Sequence, residues 1–348
     1  KPDAEIRKEA CRVINKGDTL YTQVAGINEL RELISKKLKK DLSVEYKSDE
    51  IIVSNGGKQV IFNALQSTIN QGDEVIIVSP YWVSYPEIVK LCGGKPKVLN
   101  TKRTEDFAID AAGLEKLITS KTKWLILNSP NNPTGVVYSS ESLTKISQVL
   151  NKYPDVWVLI DDIYEKLNFF SNKSINLINL DARLKKRSLI VNGFSKGYCM
   201  TGWRLGYGAG PKILIEAMKK IQSQSTSAAN TIAQNAAIKA LQLDKSYFEN
   251  IKNSLIKRKE IVASALSGLE GFSSKFSQGA FYIFPSIKSF IGKRFQGKDL
   301  IIDDTSFCLQ LLSSEHVAVV PGSSFGSNDS IRISYALSEK DLRIGCKR

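Results

Sequence analysis

Histidine is almost absent from this sequence, and its scarcity narrows the chemistry that the chain can perform. The single histidine, His316, lies in an apolar segment that we interpret as the entry to a strand. It has no neighbouring Ser or Cys that would indicate a nucleophilic triad, so we interpret it as structural. Because imidazole is the usual acid–base group near neutral pH, we expect a lysine, a carboxylate or a cofactor to carry proton transfer.

Cysteines are few, and long apolar runs are missing. The five cysteines are odd in number and lack metal-ligand spacing, which predicts reduced thiols and no metal site: Cys11, Cys92, Cys199, Cys308 and Cys346. No apolar run reaches the roughly eighteen residues of a membrane helix, and no signal-peptide pattern is visible. The composition therefore favours a cytoplasmic protein without a membrane partner.

The formal net charge of +14 raises the possibility of a nucleic-acid partner. The basic residues form short clusters spread along the chain: Lys36-Lys37-Leu38-Lys39-Lys40, Lys185-Lys186-Arg187, Lys219-Lys220 and Lys257-Arg258-Lys259. Such clusters are typical of solvated helix faces, and no nucleic-acid-binding motif accompanies them. We predict attraction of anionic metabolites and no nucleic-acid partner.

Apolar runs recur along the first part of the chain, and each is followed by a turn and a helical pattern. They are Ile51–Val53, Val75–Val78, Trp124–Leu127, Val156–Ile160 and Leu189–Val191. Continuous rather than alternating apolar strands indicate burial on both faces, as in a mainly parallel sheet. The sequence thus predicts a large, doubly wound α/β domain, with ligands at the carboxyl ends of its strands.

The pattern changes after about residue 245, where a long helix is predicted from Ser246 to Leu269. Shorter segments follow at 280–284, 317–320 and 330–334. We predict a smaller α/β C-terminal domain, with the large domain covering residues 1–258 and the small domain residues 259–348.

Lys196 lies in the segment Ser195–Arg204, directly after a predicted buried strand. Taken alone, it is more often a surface lysine in a loop. A lysine that forms a Schiff base with an aldehyde must, however, be neutral and fixed in place, and a position just past a buried strand favours both. Arg204 could place its guanidinium on a phosphate.

Further motifs accompany this segment in a fixed order. They are Gly56-Gly57-Lys58-Gln59, Pro80-Tyr81-Trp82, Asn131-Asn132-Pro133-Thr134-Gly135, Asp161-Asp162-Ile163-Tyr164 and Ile331-Arg332-Ile333-Ser334. Together they closely resemble the class I aminotransferases of the pyridoxal phosphate fold type I superfamily, in particular the bacterial aspartate aminotransferase branch. The resemblance extends from Tyr21 to about Leu342. It implies pyridoxal 5'-phosphate as the cofactor, further residues at both ends of the chain, and an N-terminal segment over the substrate.

The resemblance assigns catalytic roles to Lys196, Asp161 and Tyr164. Lys196 matches the lysine that binds the cofactor and moves the proton. Asp161 matches the aspartate that keeps the pyridine nitrogen protonated, and Tyr164 matches the tyrosine that contacts the ring hydroxyl. Without the other motifs, Asp161-Asp162 would be interpreted as a helix cap; Asp162 is expected to point elsewhere.

The resemblance also implies a phosphate site. Glycines allow backbone N–H groups at a helix start to approach an anion. Gly56, Gly57 and Lys58 match this position, together with Arg204 and the hydroxyl of Ser195. Tyr21 matches a tyrosine that reaches the phosphate from a neighbouring subunit, which implies a homodimer with shared active sites.

Four residues are candidates for substrate contacts. Trp82 matches the aromatic residue that stacks on the cofactor, although a tryptophan after a strand is more often part of a core. Asn132 matches an asparagine shared between the ring hydroxyl and the substrate α-carboxylate. Arg332 matches the arginine that binds that carboxylate through two parallel hydrogen bonds. Lys58 matches a lysine that contacts the distal carboxylate of a dicarboxylic substrate.

These matches imply ping-pong exchange of the amino group of aspartate with 2-oxoglutarate, giving oxaloacetate and glutamate. Prephenate, aromatic or other amino acids on the same fold are alternatives, because fold does not determine substrate. A non-catalytic pyridoxal-phosphate sensor is another. A nicotinamide-dependent oxidoreductase is disfavoured, since no Gly-x-Gly-x-x-Gly follows the early strands.

Overall fold

A computed structural model describes residues 1–170, 175–272, 277–294 and 299–348. Within these ranges the helices are α1 (Ala4–Lys16), α2 (Asn28–Leu42), α3 (Gly57–Gln66), α4 (Ser84–Leu91), α5 (Ala111–Leu117), α6 (Ser140–Leu150), α7 (Leu177–Leu180), α8 (Lys212–Ser225), α9 (Thr231–Leu241), α10 (Lys245–Ser267), α11 (Asp304–Glu315) and α12 (Glu339–Lys347). The strands are β1 (Ile51–Ser54), β2 (Glu74–Ser79), β3 (Lys95–Asn100), β4 (Thr122–Asn128), β5 (Trp157–Asp161), β6 (Ser188–Gly193), β7 (Gly206–Ala209), β8 (Tyr282–Ile283), β9 (Val320–Pro321) and β10 (Ile331–Ser334).

Seven strands form the large sheet, in the order β1-β7-β6-β5-β4-β2-β3. Strand β7 runs antiparallel to both of its neighbours, and the remaining pairs in the sheet are parallel. The predicted large α/β sheet with mainly parallel strands is confirmed. Because the parallel strands end at one edge, the loops that follow β4, β5 and β6 meet there.

The two faces of the large sheet pack into separate apolar clusters. In β1, Ile51 and Val53 join one cluster, while Ile52 joins the other. The same alternation in β2 places Ile76 and Val78 in the first cluster. Strands buried on both faces require apolar residues at every position, which explains the continuous apolar runs of the sequence.

Local signals fix several helix ends. The Asp3 carboxylate accepts a hydrogen bond from the Glu5 N–H at 2.8 Å and caps α1, which ends at Gly17 in the left-handed conformation. Asp244 caps α10 through the Ser246 N–H in the same way. The long helix predicted from Ser246 to Leu269 is thus present as Lys245–Ser267.

A second, three-stranded antiparallel sheet has the order β8-β10-β9. One apolar cluster joins β8 with α10 and α12, and α11 contacts β9. The proposed boundary at residues 258 and 259 falls inside the unbroken helix α10. The division into two domains therefore stays a prediction, with α10 shared between its parts.

The prediction of a strand entry at His316 is wrong. His316 ends α11 with a φ of 55°, its N–H donates to the Leu312 carbonyl, and β9 begins only at Val320. His316 forms the left-handed turn that closes the helix, so it is not available to begin a strand. Among the described residues the five cysteines are free thiols, and no helix has the length and apolarity needed to cross a bilayer.

Candidate active site

A cavity of about 390 Å³ opens where the large sheet faces the small one. It is lined by most of the residues that the sequence singled out: Gly57, Lys58, Trp82, Asn132, Asp161, Tyr164, Ser195, Lys196, Arg204 and Arg332. Gly56 lies next to the Arg204 guanidinium. Tyr21 is outside the cavity of its own chain, with 93% of its surface exposed.

Lys196 follows β6 by three residues and lines the cavity. Its pKa is lowered from its ordinary value, mainly by burial and then by the positive charges of Arg332 and Arg204. The Nζ atom lies 5.8 Å from the ring centroid of Tyr164 and 5.5 Å from that of Phe281. These surroundings favour the neutral amine, which is the nucleophilic form.

Asp161 is the last residue of β5 and carries its carboxylate into the buried floor of the cavity. Tyr85 Oη donates to its Oδ2 at 2.6 Å, and the Ile163 N–H donates to its Oδ1 at 3.2 Å. Burial nevertheless raises the pKa of Asp161 to about 6. A positive group placed beside Asp161 would offset the cost of burying its charge.

Asn128 ends β4 and connects three parts of the site. Its Nδ2 donates to the Asp161 carbonyl at 2.9 Å, and its Oδ1 accepts from the Asn132 N–H at 2.9 Å. Arg332 Nη1 in turn donates to Asn132 Oδ1 at 2.8 Å. This chain of hydrogen bonds holds the amide of Asn132 and the guanidinium of Arg332 in fixed orientations.

Arg332 comes from β10 of the small sheet and reaches the cavity between two aromatic rings. Its Cζ lies 4.6 Å from the ring centroid of Tyr282 and 4.7 Å from that of Phe325. Its Nε is buried and has no hydrogen-bond partner among the described residues. An oriented guanidinium with a buried, unpaired N–H donor suits a bound carboxylate.

The start of α3 has features that suit an anion. Helix α3 begins at Gly57, and its first N–H groups lack partners within the helix. A Cβ on Gly56 would lie 2.4 Å from Arg204 Nη2, so glycine allows the guanidinium to approach the turn. Ser195, Thr201 and Arg204 also line the cavity, and Arg204 Nη1 donates to the Thr201 carbonyl at 3.0 Å. Backbone donors, hydroxyls and a fixed cation together suit a phosphate.

Lys58 and Trp82 form the remaining wall. The Lys58 Nζ lies 4.9 Å from the Trp82 ring centroid, and the Trp82 ring meets that of Tyr85 edge to face at 5.4 Å. Trp82 therefore presents an aromatic surface to the cavity next to a cation. A tryptophan after a strand is more often part of a core, but Trp82 is only partly buried.

Sequence reasoning missed several residues that contribute to the site. Tyr85, Asn128, Ile163, Thr201 and Tyr282 line the cavity and were not predicted. Asn128 had a detectable signal, because it ends a buried parallel strand. Tyr282 had none, since it lies within a short apolar run. Asp162 points away as expected and accepts a hydrogen bond from Asn176 at 2.9 Å.

The residues of the cavity fit pyridoxal phosphate. Asp161 provides a buried carboxylate that a cation would stabilise, and Tyr164 provides a phenol. Lys196 provides a nucleophilic amine, and the start of α3 provides backbone N–H groups that suit an anion. These four groups correspond to the pyridine nitrogen, ring hydroxyl, aldehyde and phosphate of that molecule. The cavity therefore has a suitable group for each of these four parts of the cofactor.

Comparison with known proteins points in the same direction. The sequence profile of the family "Aminotransferase class I and II" matches residues 2–348. A probable aspartate/prephenate aminotransferase from Rhizobium leguminosarum bv. phaseoli is 47% identical over 347 residues, which is 100% of this chain and 86% of that protein. The crystal structure of the aspartate aminotransferase from Rhizobium meliloti superimposes with a TM-score of 0.96 at 39% identity, covering 100% of this chain and 87% of the other. The Thermus thermophilus aspartate aminotransferase with maleate gives a TM-score of 0.92 at 36% identity over the same shares.

Proposed function

Because the chain belongs to the class I and II aminotransferases, we propose that it exchanges the amino group of aspartate with 2-oxoglutarate, giving oxaloacetate and glutamate. It is a pyridoxal-phosphate-dependent enzyme of fold type I. The bound cofactor supplies an electron sink for the substrate carbon. The following roles of the chain's own residues are part of the proposal.

Lys196 binds the cofactor and, once released by the amino substrate, moves the proton at the substrate carbon. Its lowered pKa supports this role, because only the neutral amine accepts a proton. Asp161 stabilises a protonated pyridine nitrogen, and Tyr164 donates to the ring hydroxyl. Both side chains are buried, so water competes little for these contacts.

The remaining predicted residues hold the cofactor's phosphate and ring. Gly56, Gly57 and Lys58 supply the turn at the start of α3, with Ser195 and Arg204 beside it. Trp82 covers the ring face. The 93% exposure of Tyr21 supports a contact with another copy of the chain rather than with its own cavity. We propose that the functional unit is a cytoplasmic homodimer in which Tyr21 reaches the partner's phosphate site.

Four basic side chains line the cavity, and two of them, Arg332 and Lys58, remain after Lys196 and Arg204 are assigned to the cofactor. These two cations support a dicarboxylic substrate, and they are the observation that carries the proposal. Arg332, oriented by Asn132, binds the α-carboxylate, and Lys58 binds the distal carboxylate. The name of the Rhizobium meliloti relative and the maleate bound to the Thermus thermophilus enzyme agree with this substrate class.

Prephenate is the second candidate substrate. It is named for the Rhizobium leguminosarum relative, and it also carries two carboxylates. The aromatic surface of Trp82 beside Lys58 suits a substrate that carries a ring next to a carboxylate.

The substrate assignment is tested by Lys58→Ala with aspartate and alanine as alternative amino donors to 2-oxoglutarate. Loss of a charged contact should lower kcat/KM for aspartate about 10- to 100-fold while changing that for alanine by less than about threefold. Lys90→Ala, which removes an exposed lysine paired with Glu87 on α4, is the control and should leave both values unchanged. Equal losses for the two donors would contradict the dicarboxylate assignment.

A further inference from the structure

Tyr164 and Tyr282 form a buried pair of phenols on the wall of the cavity. Their hydroxyl oxygens are 2.7 Å apart, and their rings meet at 5.8 Å with an interplanar angle of 75°. Tyr164 follows β5 of the large sheet, while Tyr282 begins β8 of the small sheet. The hydrogen bond therefore joins the two sheets at the active site.

The Tyr282 hydroxyl has few possible hydrogen-bond partners in its surroundings. Its ring lies under the Arg332 guanidinium at 4.6 Å, and arginine offers no acceptor. Within the described ranges, Tyr282 Oη has no hydrogen-bond partner besides Tyr164. Burial raises the pKa of both phenols, so both keep their protons near neutral pH.

Each hydroxyl has one proton and can therefore donate only one hydrogen bond. If Tyr164 donated to Tyr282, the cofactor's ring oxygen would lose its donor, and the Tyr282 proton would have no protein acceptor. If Tyr282 donates to Tyr164, the proton of Tyr164 is free to point into the cavity. Hydrogen bonds in such a chain strengthen one another, so the second arrangement also makes Tyr164 a better donor.

We propose that Tyr282 is a positioning residue whose hydroxyl donates to Tyr164 Oη and directs the Tyr164 proton towards the ring oxygen of the bound cofactor. This inference rests on the proposed function, because it requires Tyr164 to face that oxygen. A residue of the small sheet would then affect the proton affinity of the bound cofactor. Since Arg332 stacks on the same ring, Tyr282 also connects the proposed carboxylate site with Tyr164.

The consequence is measurable in the visible spectrum of the lysine-bound cofactor. A phenol that donates to the ring oxygen stabilises the anionic form of that oxygen, so the neighbouring proton is lost at lower pH. Tyr282→Phe removes the donor hydroxyl but keeps the ring beneath Arg332. We expect the pH midpoint of the absorbance change to rise by about half a unit, as for the loss of a modest hydrogen bond.

Tyr335→Phe is the matched control. Tyr335 belongs to the same buried cluster as Tyr282, but its hydroxyl contacts Ser277 Oγ at 3.0 Å rather than Tyr164. Its removal should leave the midpoint at the wild-type value. A second test is the double variant Tyr164→Phe/Tyr282→Phe, whose midpoint should equal that of Tyr164→Phe alone, because Tyr282 acts only through Tyr164.

Three results would overturn the inference: a wild-type midpoint in Tyr282→Phe, an equal shift in Tyr335→Phe, or a further shift in the double variant. A wild-type protein that forms no lysine-bound cofactor would instead refute the proposed function. The two failures are therefore distinguishable in one series of spectra.

Discussion

At the scale of single residues, Asp161 shows how burial and charge prepare the site. Its carboxylate accepts two hydrogen bonds at the end of β5, yet burial still raises its pKa to about 6. The structure thus retains an acid whose charged form is unfavourable without a neighbouring cation. A protonated pyridine nitrogen would be that cation, so cofactor binding and the charge of Asp161 should stabilise each other.

The raised pKa of Asp161 predicts a pH-dependent stability for the cofactor-free protein. An acid whose pKa is higher in the folded state stabilises the fold below its unfolded value of 3.8, and this contribution is lost as the pH rises through about 6. Relative to Asp161→Asn, the wild type should therefore lose about 2 kcal/mol of unfolding free energy between about pH 4 and pH 7.5. Urea unfolding of both proteins at the two pH values measures this difference.

Asp155→Asn is the control, because Asp155 is an exposed carboxylate just before β5. Its difference from wild type should stay within about 0.5 kcal/mol at both pH values. If the unfolding free energies of the wild type and Asp161→Asn changed equally with pH, the buried carboxylate would not destabilise the fold at the higher pH.

The residues of the site differed in how far they could be predicted. Lys196, Asp161, Asn132 and Arg332 belong to motifs, so the sequence indicated each of them. Tyr282 could not be predicted, because its importance comes from a contact with Tyr164, 118 positions away in the chain. A pattern within one segment contains no information about such a contact.

At the scale of elements, close backbone packing sets the start of α3. A Cβ on Gly206 of β7 would lie 2.4 Å from the Gly57 nitrogen, and one on Gly193 would lie 2.9 Å from the Gly206 Cα. Glycine at both positions allows β6, β7 and the turn before α3 to approach without side chains between them. The position of the proposed phosphate site thus depends on residues outside the motif that indicated it.

Arg103 ties the loop after β3 to the small sheet. Its Nη1 donates to the Phe284 carbonyl at 2.6 Å, and its Nη2 donates to Ser330 Oγ at 2.7 Å. Its Cζ also lies 5.1 Å from the ring centroid of Phe107 and 5.6 Å from that of Phe284. Ser330 immediately precedes β10, so Arg103 supports the strand that carries Arg332.

Arg103→Ala should lower the unfolding free energy by about 2–4 kcal/mol, because it removes two hydrogen bonds, one of them to the Phe284 carbonyl, and two stacking contacts. It should also raise KM for aspartate, since β10 loses an anchor near Arg332. Lys102→Ala removes a surface lysine, 72% exposed, that pairs with Glu105 at 2.9 Å, and should leave the unfolding curve at the wild-type position. Equal unfolding curves for the two variants would contradict the anchoring role.

Element boundaries were less predictable than element types. The sequence indicated a short segment at 280–284, but β8 contains only Tyr282 and Ile283. The neighbouring strand sets this limit, because β10 pairs with β8 only through Ile333 and Ser334. Pairing partners, rather than the apolar pattern alone, decide where a short strand ends.

At the scale of the whole molecule, the site depends on the contact between the two sheets. Lys196 and Asp161 follow the large sheet, whereas Arg332 and Tyr282 belong to the small one. The doubly wound class was predictable, because continuous apolar strands alternate with helices. How the small sheet faces the large one was not predictable from residues alone and entered only through the family resemblance.

The central claim is that Lys196 holds the cofactor and that aspartate is the amino donor. The most direct test is the visible absorption spectrum of the protein with pyridoxal phosphate before and after aspartate is added, with oxaloacetate assayed in the same sample and Lys196→Ala in parallel. We predict that the wild type loses the absorbance of the lysine-bound cofactor and forms about one oxaloacetate per bound cofactor, while folded Lys196→Ala shows neither. A wild-type spectrum that ignores aspartate, or the same absorbance in Lys196→Ala, would contradict the account.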